Sequence, residues 1–203
     1  MRPCSLSIAA LSLLALPAAG AIQSATSGTL VHSPTGLIAG NAFGGQYAHA
    51  WNERQSFVLT NQAVDLLGNG NSNSPTPGLV SGLVDSHMLH AESGWPINPS
   101  VHSGTVTFNA PIVGVIWTAA GLNGSDLFCA PAGTSYSTSA SRGLVPGSEW
   151  VVVSGNAITF QFIRGQVFPY EYTQVRVLTA VPGPGAGVVL GAAGLVCARR
   201  RRA

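Results

Sequence analysis

Between residues 22 and 180 the β-branched and aromatic side chains come in short runs, each closed by Gly, Pro, Asn or Ser. Apolar residues nowhere hold the 3.6-residue spacing of an amphipathic helix there, so a chain punctuated this way reads as strands. The runs lie near Thr29 to His32, Gln46 to Trp51, Gln55 to Thr60, Ala63 to Leu67, Leu79 to His90, Gly104 to Asn109, Ile112 to Thr118, Trp150 to Ser154, Ala157 to Arg164 and Tyr172 to Thr179. Ile158, Phe160 and Phe162 alternate with Thr159, Gln161 and Ile163, which turns one side inward and leaves the other mostly wet. Val151-Val152-Val153 precedes them across Ser154-Gly155-Asn156, a connection that reads as a hairpin. The run from Ile112 to Thr118 is apolar on both sides, which makes it central and Trp117 a core residue. So many short strands leave no room for the helical crossovers of a parallel sheet. The expected fold class is all-β, an antiparallel, jelly-roll-like β-sandwich, with a closed barrel as the alternative. One helical turn is expected near Ser125 to Phe128, and Gly68 to Gly78 is expected to be a mobile surface loop that packs little.

Charge is segregated. All nine basic residues are Arg; Arg2 stands at one end and Arg199, Arg200, Arg201 and Arg202 at the other. The body keeps Arg54, Arg142, Arg164 and Arg176 against seven acids, a net of −3. Nucleic-acid binding needs a clustered basic face to neutralise phosphates, so that partner class is excluded. Charged residues make up 8% of the chain and hydrophobic ones 46%, which argues for a packed core and against disorder.

The ends carry their own patterns. Arg2, the apolar run Leu6 to Leu16, Pro17 and the small residues Ala18 to Ala21 follow the order of a secretory signal peptide, residues 1–21, with Ala19-Gly20-Ala21 the expected cleavage site. The apolar run is too short to span a bilayer, and Cys4 precedes it, which excludes a lipoprotein signal. At the other end, residues 181–203, Pro182-Gly183-Pro184 leads into a charge-free stretch from Gly185 to Ala198 and then the four Arg. As a single hydrophobic helix that stretch would reach ~21 Å, a weak anchor, with the Arg cluster holding its far end in the cytoplasm. Residues 22–180 form the domain between.

A Pro-x-Pro pair, a short Gly-rich apolar segment and a terminal Arg cluster resemble the PEP-CTERM sorting signal of Gram-negative bacteria. Pro182 and Pro184 match its two prolines and Arg199 to Arg202 its basic cluster, while Gly183 departs from the usual Glu. The resemblance implies export by signal peptidase, temporary membrane anchoring, and sorting by an exosortase-like membrane enzyme to the outer envelope or extracellular matrix, in association with biofilm and exopolysaccharide. A weaker resemblance, to the extracellular domain recurring in that group, rests on Val84-Asp85-Ser86-His87-Met88, the Ser125-Asp126 turn, Arg142-Gly143-Leu144 and Gln174 to Thr179. It implies a β-sandwich and no known activity.

Chemistry is harder to find. Asp85, His87, His90 and Glu92 are ligand types, but strand alternation puts the first two on one side and the last two on the other, so they converge on a metal only across a bulge. No metal and no cofactor is therefore expected. The Gly68 to Ser74 segment lacks the Asp residues calcium wants. G-x-S-x-G, H-E-x-x-H, C-x-x-C and P-loop spacings are absent, and no catalytic residue is assigned. His32, His49 and His102 are isolated in sequence. Cys129 is the one thiol outside the two end segments, a buried residue or an intermolecular bridge. Trp95, between Gly94 and Pro96, is the candidate sugar contact, while Trp117 and Trp150 read as structural and Trp51 ends a strand. The expectation is an exported structural or adhesive protein; the alternative is a secreted carbohydrate-binding module or carbohydrate-active enzyme with the same tail.

Overall fold

The computed structural model describes residues 20–26, 28–32, 47–92, 100–140, 142–164 and 172–181, all within one compact unit, Ala19–Pro182. The described chain is mostly β: β1 (Ile22–Ala25), β2 (Thr29–His32), β3 (Ala48–Asn52), β4 (Phe57–Val64), β5 (Leu66–Leu67), β6 (Gly70–Asn71), β7 (Gly78–Glu92), β8 (Ser100–Phe108) and β9 (Ile112–Ile116), then the helix α1 (Ala119–Cys129), then β10 (Trp150–Ser154), β11 (Ala157–Arg164) and β12 (Tyr172–Ala180).

Two sheets result. The first runs β1-β8-β11-β10-β6 with every neighbour antiparallel. The second runs β2-β3-β7-β12-β9-β5, and β4 also pairs with β7. It is mixed, because β2 and β3 are parallel. The long β7 organises this sheet: β12 lies along one edge, while β4 takes the first half of the other edge and β3 the second. β10 and β11 form the expected hairpin, with Ser154 opposite Ala157 and Gly155 at φ +62° in the turn between them. A glycine takes that backbone conformation without steric cost.

Alternation then distributes the core. Val151, Val153, Ile158, Phe160 and Phe162 of the first sheet share one buried cluster with Leu89, Ala91, Val115, Val175 and Val177 of the second. The Phe160 and Phe162 rings, two residues apart and so on one side of β11, stack with centroids 4.5 Å apart. The opposite face of the second sheet is covered as well. Trp51, Met88, Ile116 and Leu178 pack there with Leu122 and Cys129 of α1 and with Tyr136 beyond it. β12 is consequently buried on both sides.

Several expectations are corrected. Gly68 to Gly78 is no loose loop: β6 pairs with β10 through Val152 and Val153, and the Ser72 amide donates to the Val151 carbonyl at 2.9 Å. The backbone makes those bonds, so a segment poor in apolar side chains still forms a sheet edge. The runs from Gln55 and from Ala63 are joined over Phe57–Val64 in β4, while Leu66–Leu67 is the separate β5, and the register of β4 slips between Leu59 and Gln62 where Asn61 takes φ +52°. That is the signature of a bulge. The single turn near Ser125 is an 11-residue helix capped by Thr118, whose hydroxyl accepts the Gly121 amide at 3.3 Å. Its buried positions, Leu122, Ser125 and Cys129, keep helical spacing, but only Leu122 is strongly apolar, while Leu127 and Phe128 point outward. The hydrophobic pattern therefore hides the helix. β1 was not legible, and β8 begins at Ser100 rather than Gly104. No helix among the described residues is long and apolar enough to cross a membrane. The C-terminal segment read as a hydrophobic helix lies outside the described residues.

Candidate functional site

β7 passes through the Asp85 to Glu92 segment without a register slip against β12, so alternation is preserved. Asp85 and His87 face the first sheet, where the His87 ring lies 4.6 Å from the Phe108 ring of β8. His90 and Glu92 face the other way, 3.3 Å apart, with His90 Nδ1 also 3.3 Å from Gln174 Nε2. The four do not meet. Among the described residues no group of three or more His, Cys, Asp and Glu side chains is placed to hold a metal. His49 sits opposite His90 in the β3–β7 register, and His102 bonds Ser100 on β8 at 2.9 Å.

His87 is neutral in its surroundings. Its Nδ1 donates to Asn52 Oδ1 at 2.8 Å and its Nε2 accepts from the Thr179 hydroxyl at 3.0 Å. Burial lowers its pKa from 6.5 to about 3. Asp85, fully buried, accepts the Ser56 amide at 2.5 Å on Oδ1 and the Gly20 amide on Oδ2.

The other face of the sheet holds a buried ion cluster. Arg176 of β12 donates Nε and Nη2 to the two oxygens of Glu53 at 2.7 and 2.8 Å. Nη2 also reaches Asp126 of α1 at 2.9 Å, and Nη1 reaches Ser125 Oγ at 2.5 Å and the Leu122 carbonyl at 3.2 Å. All five guanidinium N–H donors are thus satisfied. Arg142 donates both terminal nitrogens to Asp126 and its Nε to Gln174. Glu53 further accepts from the Ser86 and Tyr136 hydroxyls at 2.6 and 2.7 Å. The Tyr136 ring lies 5.1 Å from the Arg142 guanidinium and 5.7 Å from that of Arg176.

Two cations face two carboxylates, so the cluster is neutral as a set, and its bidentate geometry offsets the large cost of removing charges from water. Burial disfavours the Arg176 charge, but the Glu53 carboxylate outweighs it and holds the guanidinium above the ordinary arginine range. Burial raises the Tyr136 hydroxyl well above its usual value, with Glu53 adding to the effect. Cys129, the buried last residue of α1, has its thiol pushed up to about 11 mainly by burial, which leaves it inert and closed to an intermolecular bridge. The cluster clamps α1 to the sheet. It presents no activated nucleophile or base.

Segments that the sequence offers only as a resemblance meet here: Ser86, Ser125, Asp126, Arg142, Gln174 and Arg176. Glu53 and Tyr136 had no local signal. Arg176 had one, a lone charge between Val175 and Val177 in a strand apolar on both sides.

The remaining described acids are also engaged inside the fold. Glu149 accepts from the Val145 and Ile163 amides, each at 2.8 Å, and from the Thr173 hydroxyl. Asp65 accepts from the Trp117 and Thr118 amides at 2.7 and 2.9 Å. A hollow of about 290 Å³ is lined by Ser72, Asn73, Trp117, Leu144, Pro146, Gly147 and Glu149. Its carboxylate is the Glu149 group just described, whose oxygens already hold internal donors. Trp51 is buried, with Nε1 donating to Tyr136 at 3.2 Å, and Trp117 is buried as expected. Trp95, Ala19, Pro182, Gly183, Pro184 and Arg199, Arg200, Arg201 and Arg202 lie outside the described residues. Ala21 lies inside them: its amide donates to Asn109 Oδ1 at 2.6 Å and its carbonyl accepts the Asn109 amide at 3.0 Å.

The geometry defines a mostly β domain with an internal ion cluster. No protein family, characterised protein or solved structure matches the chain.

Proposed function

We propose that this is an exported, non-catalytic protein of the cell envelope or extracellular matrix, a jelly-roll-like sandwich with a structural or adhesive role. In this reading signal peptidase removes the leader, the C-terminal segment anchors the chain briefly, and an exosortase-like membrane enzyme acts near Pro182 and Pro184, delivering it to an exopolysaccharide-rich surface.

The observation that supports a non-catalytic role is the inward allocation of acids. Glu53, Asp65, Asp85, Glu92, Asp126 and Glu149 each accept hydrogen bonds or ion pairs from the fold itself. Glycoside cleavage needs two carboxyl groups free to act on a substrate. The described surface instead presents neutral polar residues among exposed apolar ones such as Val58, Leu79 and Val101. Such a surface suits contact with neutral polymer or with other envelope components. The hollow beside Trp117, with Ser72 and Asn73, supports a second reading as a sugar-binding module.

The test is fractionation of the native host producing the wild-type chain or a variant with Arg199 to Arg202 replaced by Ser. Wild-type protein is expected in the envelope or matrix and the variant is expected to miss that destination. Wild-type protein confined to the cytoplasm would overturn the reading, as would identical distributions of the two.

A further inference from the structure

We propose that the leader is cut between Ala19 and Gly20 and that the α-ammonium so formed makes a buried ion pair with Asp85. The inference rests on the export reading and adds to it the cleavage site and what that site does for the fold.

Asp85 lies on the inner face of β7 with no exposure to solvent. Among the described residues its carboxylate meets the backbone N–H groups of Gly20 and Ser56 and no cation. His87, two residues along on the same side, already donates to Asn52 and accepts from Thr179, the pattern of a neutral imidazole. A carboxylate buried without an opposing charge is costly. The group that touches it is the nitrogen of Gly20, the atom that cleavage after Ala19 would convert from an amide into an ammonium.

Two further observations fix the position. A Cβ at residue 20 would lie 2.6 Å from both Asp85 Oδ2 and Thr179 Oγ1, so any larger residue there would have to displace those two side chains. Ala21 exchanges hydrogen bonds with Asn109, and the Ile22 amide donates to Asn52 Oδ1 at 3.2 Å. Gly20 and Ala21 therefore belong to the folded domain. The A-x-A spelling alone points two residues later, after Ala21, a cut that would remove both from the fold and leave Asp85 without its nearest donor.

Cleavage is a hydrolysis. The hydroxyl of water adds to the Ala19 carbonyl carbon, the C–N bond breaks, and the hydrogen goes to the Gly20 nitrogen, which takes one more proton from solvent. No electrons change hands. The precursor, with a neutral amide at Asp85, is left less stable than the mature chain, which suits a protein that must stay unfolded until it has crossed the membrane.

The chain contains no Lys, so the mature α-amine is its sole primary amine, and acetylation read by mass spectrometry on the N-terminal peptide reports on that group. The experiment recovers the exported protein from its host, identifies the first residue by mass spectrometry, and follows acetylation of native and guanidinium-denatured protein. The expected result is Gly20 at the N-terminus and labelling at least ~100-fold slower in the native state, given the cost of separating a buried pair. Asp85→Asn protein is expected to lose that protection. Native labelling as fast as denatured would overturn the ion pair, as would full protection in Asp85→Asn. Ile22 at the N-terminus would overturn the cleavage site while leaving export intact; a retained Met1 would overturn export as well.

Discussion

Removing Glu53 would take the bidentate partner from Arg176 Nε and Nη2 inside a fully buried site and leave Arg176 and Arg142 to share the one carboxylate of Asp126. Glu53→Ala is expected to cost about 3–5 kcal/mol, the usual result of leaving one member of a buried pair without the other. Chemical denaturation checks this, and a loss under 1 kcal/mol would show that the cluster does not hold the fold together. His87 makes a pH prediction. Its folded pKa of about 3 lies below the ordinary 6.5, so between those values the unfolded chain binds a proton that the native chain refuses. The contribution is complete above pH 6.5 and erodes as pH falls toward 3, by about 1.4 kcal/mol per pH unit. Urea unfolding as a function of pH should show that slope, reduced in His87→Gln. At this scale the sequence was informative where the cause was local. Ile158, Phe160 and Phe162 declared their side by period-two spacing, and the same rule separated Asp85 and His87 from His90 and Glu92. The ion cluster was hidden because its partners are far apart in the chain, Arg176 and Glu53 by 123 positions.

Elements obey the same division between local and distant causes. The β10–β11 hairpin could be read because turn and alternation sit side by side. The helix α1 could not, because its buried side is held by Ser125 and Cys129 and by the charges beneath it rather than by an apolar stripe. β6 was missed for a related reason: its pairing with β10 uses backbone groups, which carry no sequence label. The segment after α1 depends on one close approach. Gly143 takes φ +117°, and a Cβ there would fall 2.0 Å from the Trp117 carbonyl oxygen. Gly143→Ala is expected to destabilise by about 1–3 kcal/mol from backbone conformation alone, with the steric contact adding to it. A thermal melt unchanged from wild type would contradict that placement of the segment.

At the scale of the whole molecule most of the charged side chains described in the body are turned into the fold, with Arg54 exposed. Four of its nine Arg residues crowd the last five positions, whereas Arg142 and Arg176 are consumed in holding α1 to the sheet. The folded unit, Ala19–Pro182, spans the stretch between the two end patterns. That coincidence supports reading the ends as addresses and the middle as the working domain. The most direct measurement is intact mass spectrometry of the protein recovered from the membrane and from the culture matrix of its native host. The account predicts a matrix form lacking residues 1–19 and everything beyond about Pro182. A membrane-bound form that retains Arg199 to Arg202, with no shortened form in the matrix, would contradict it.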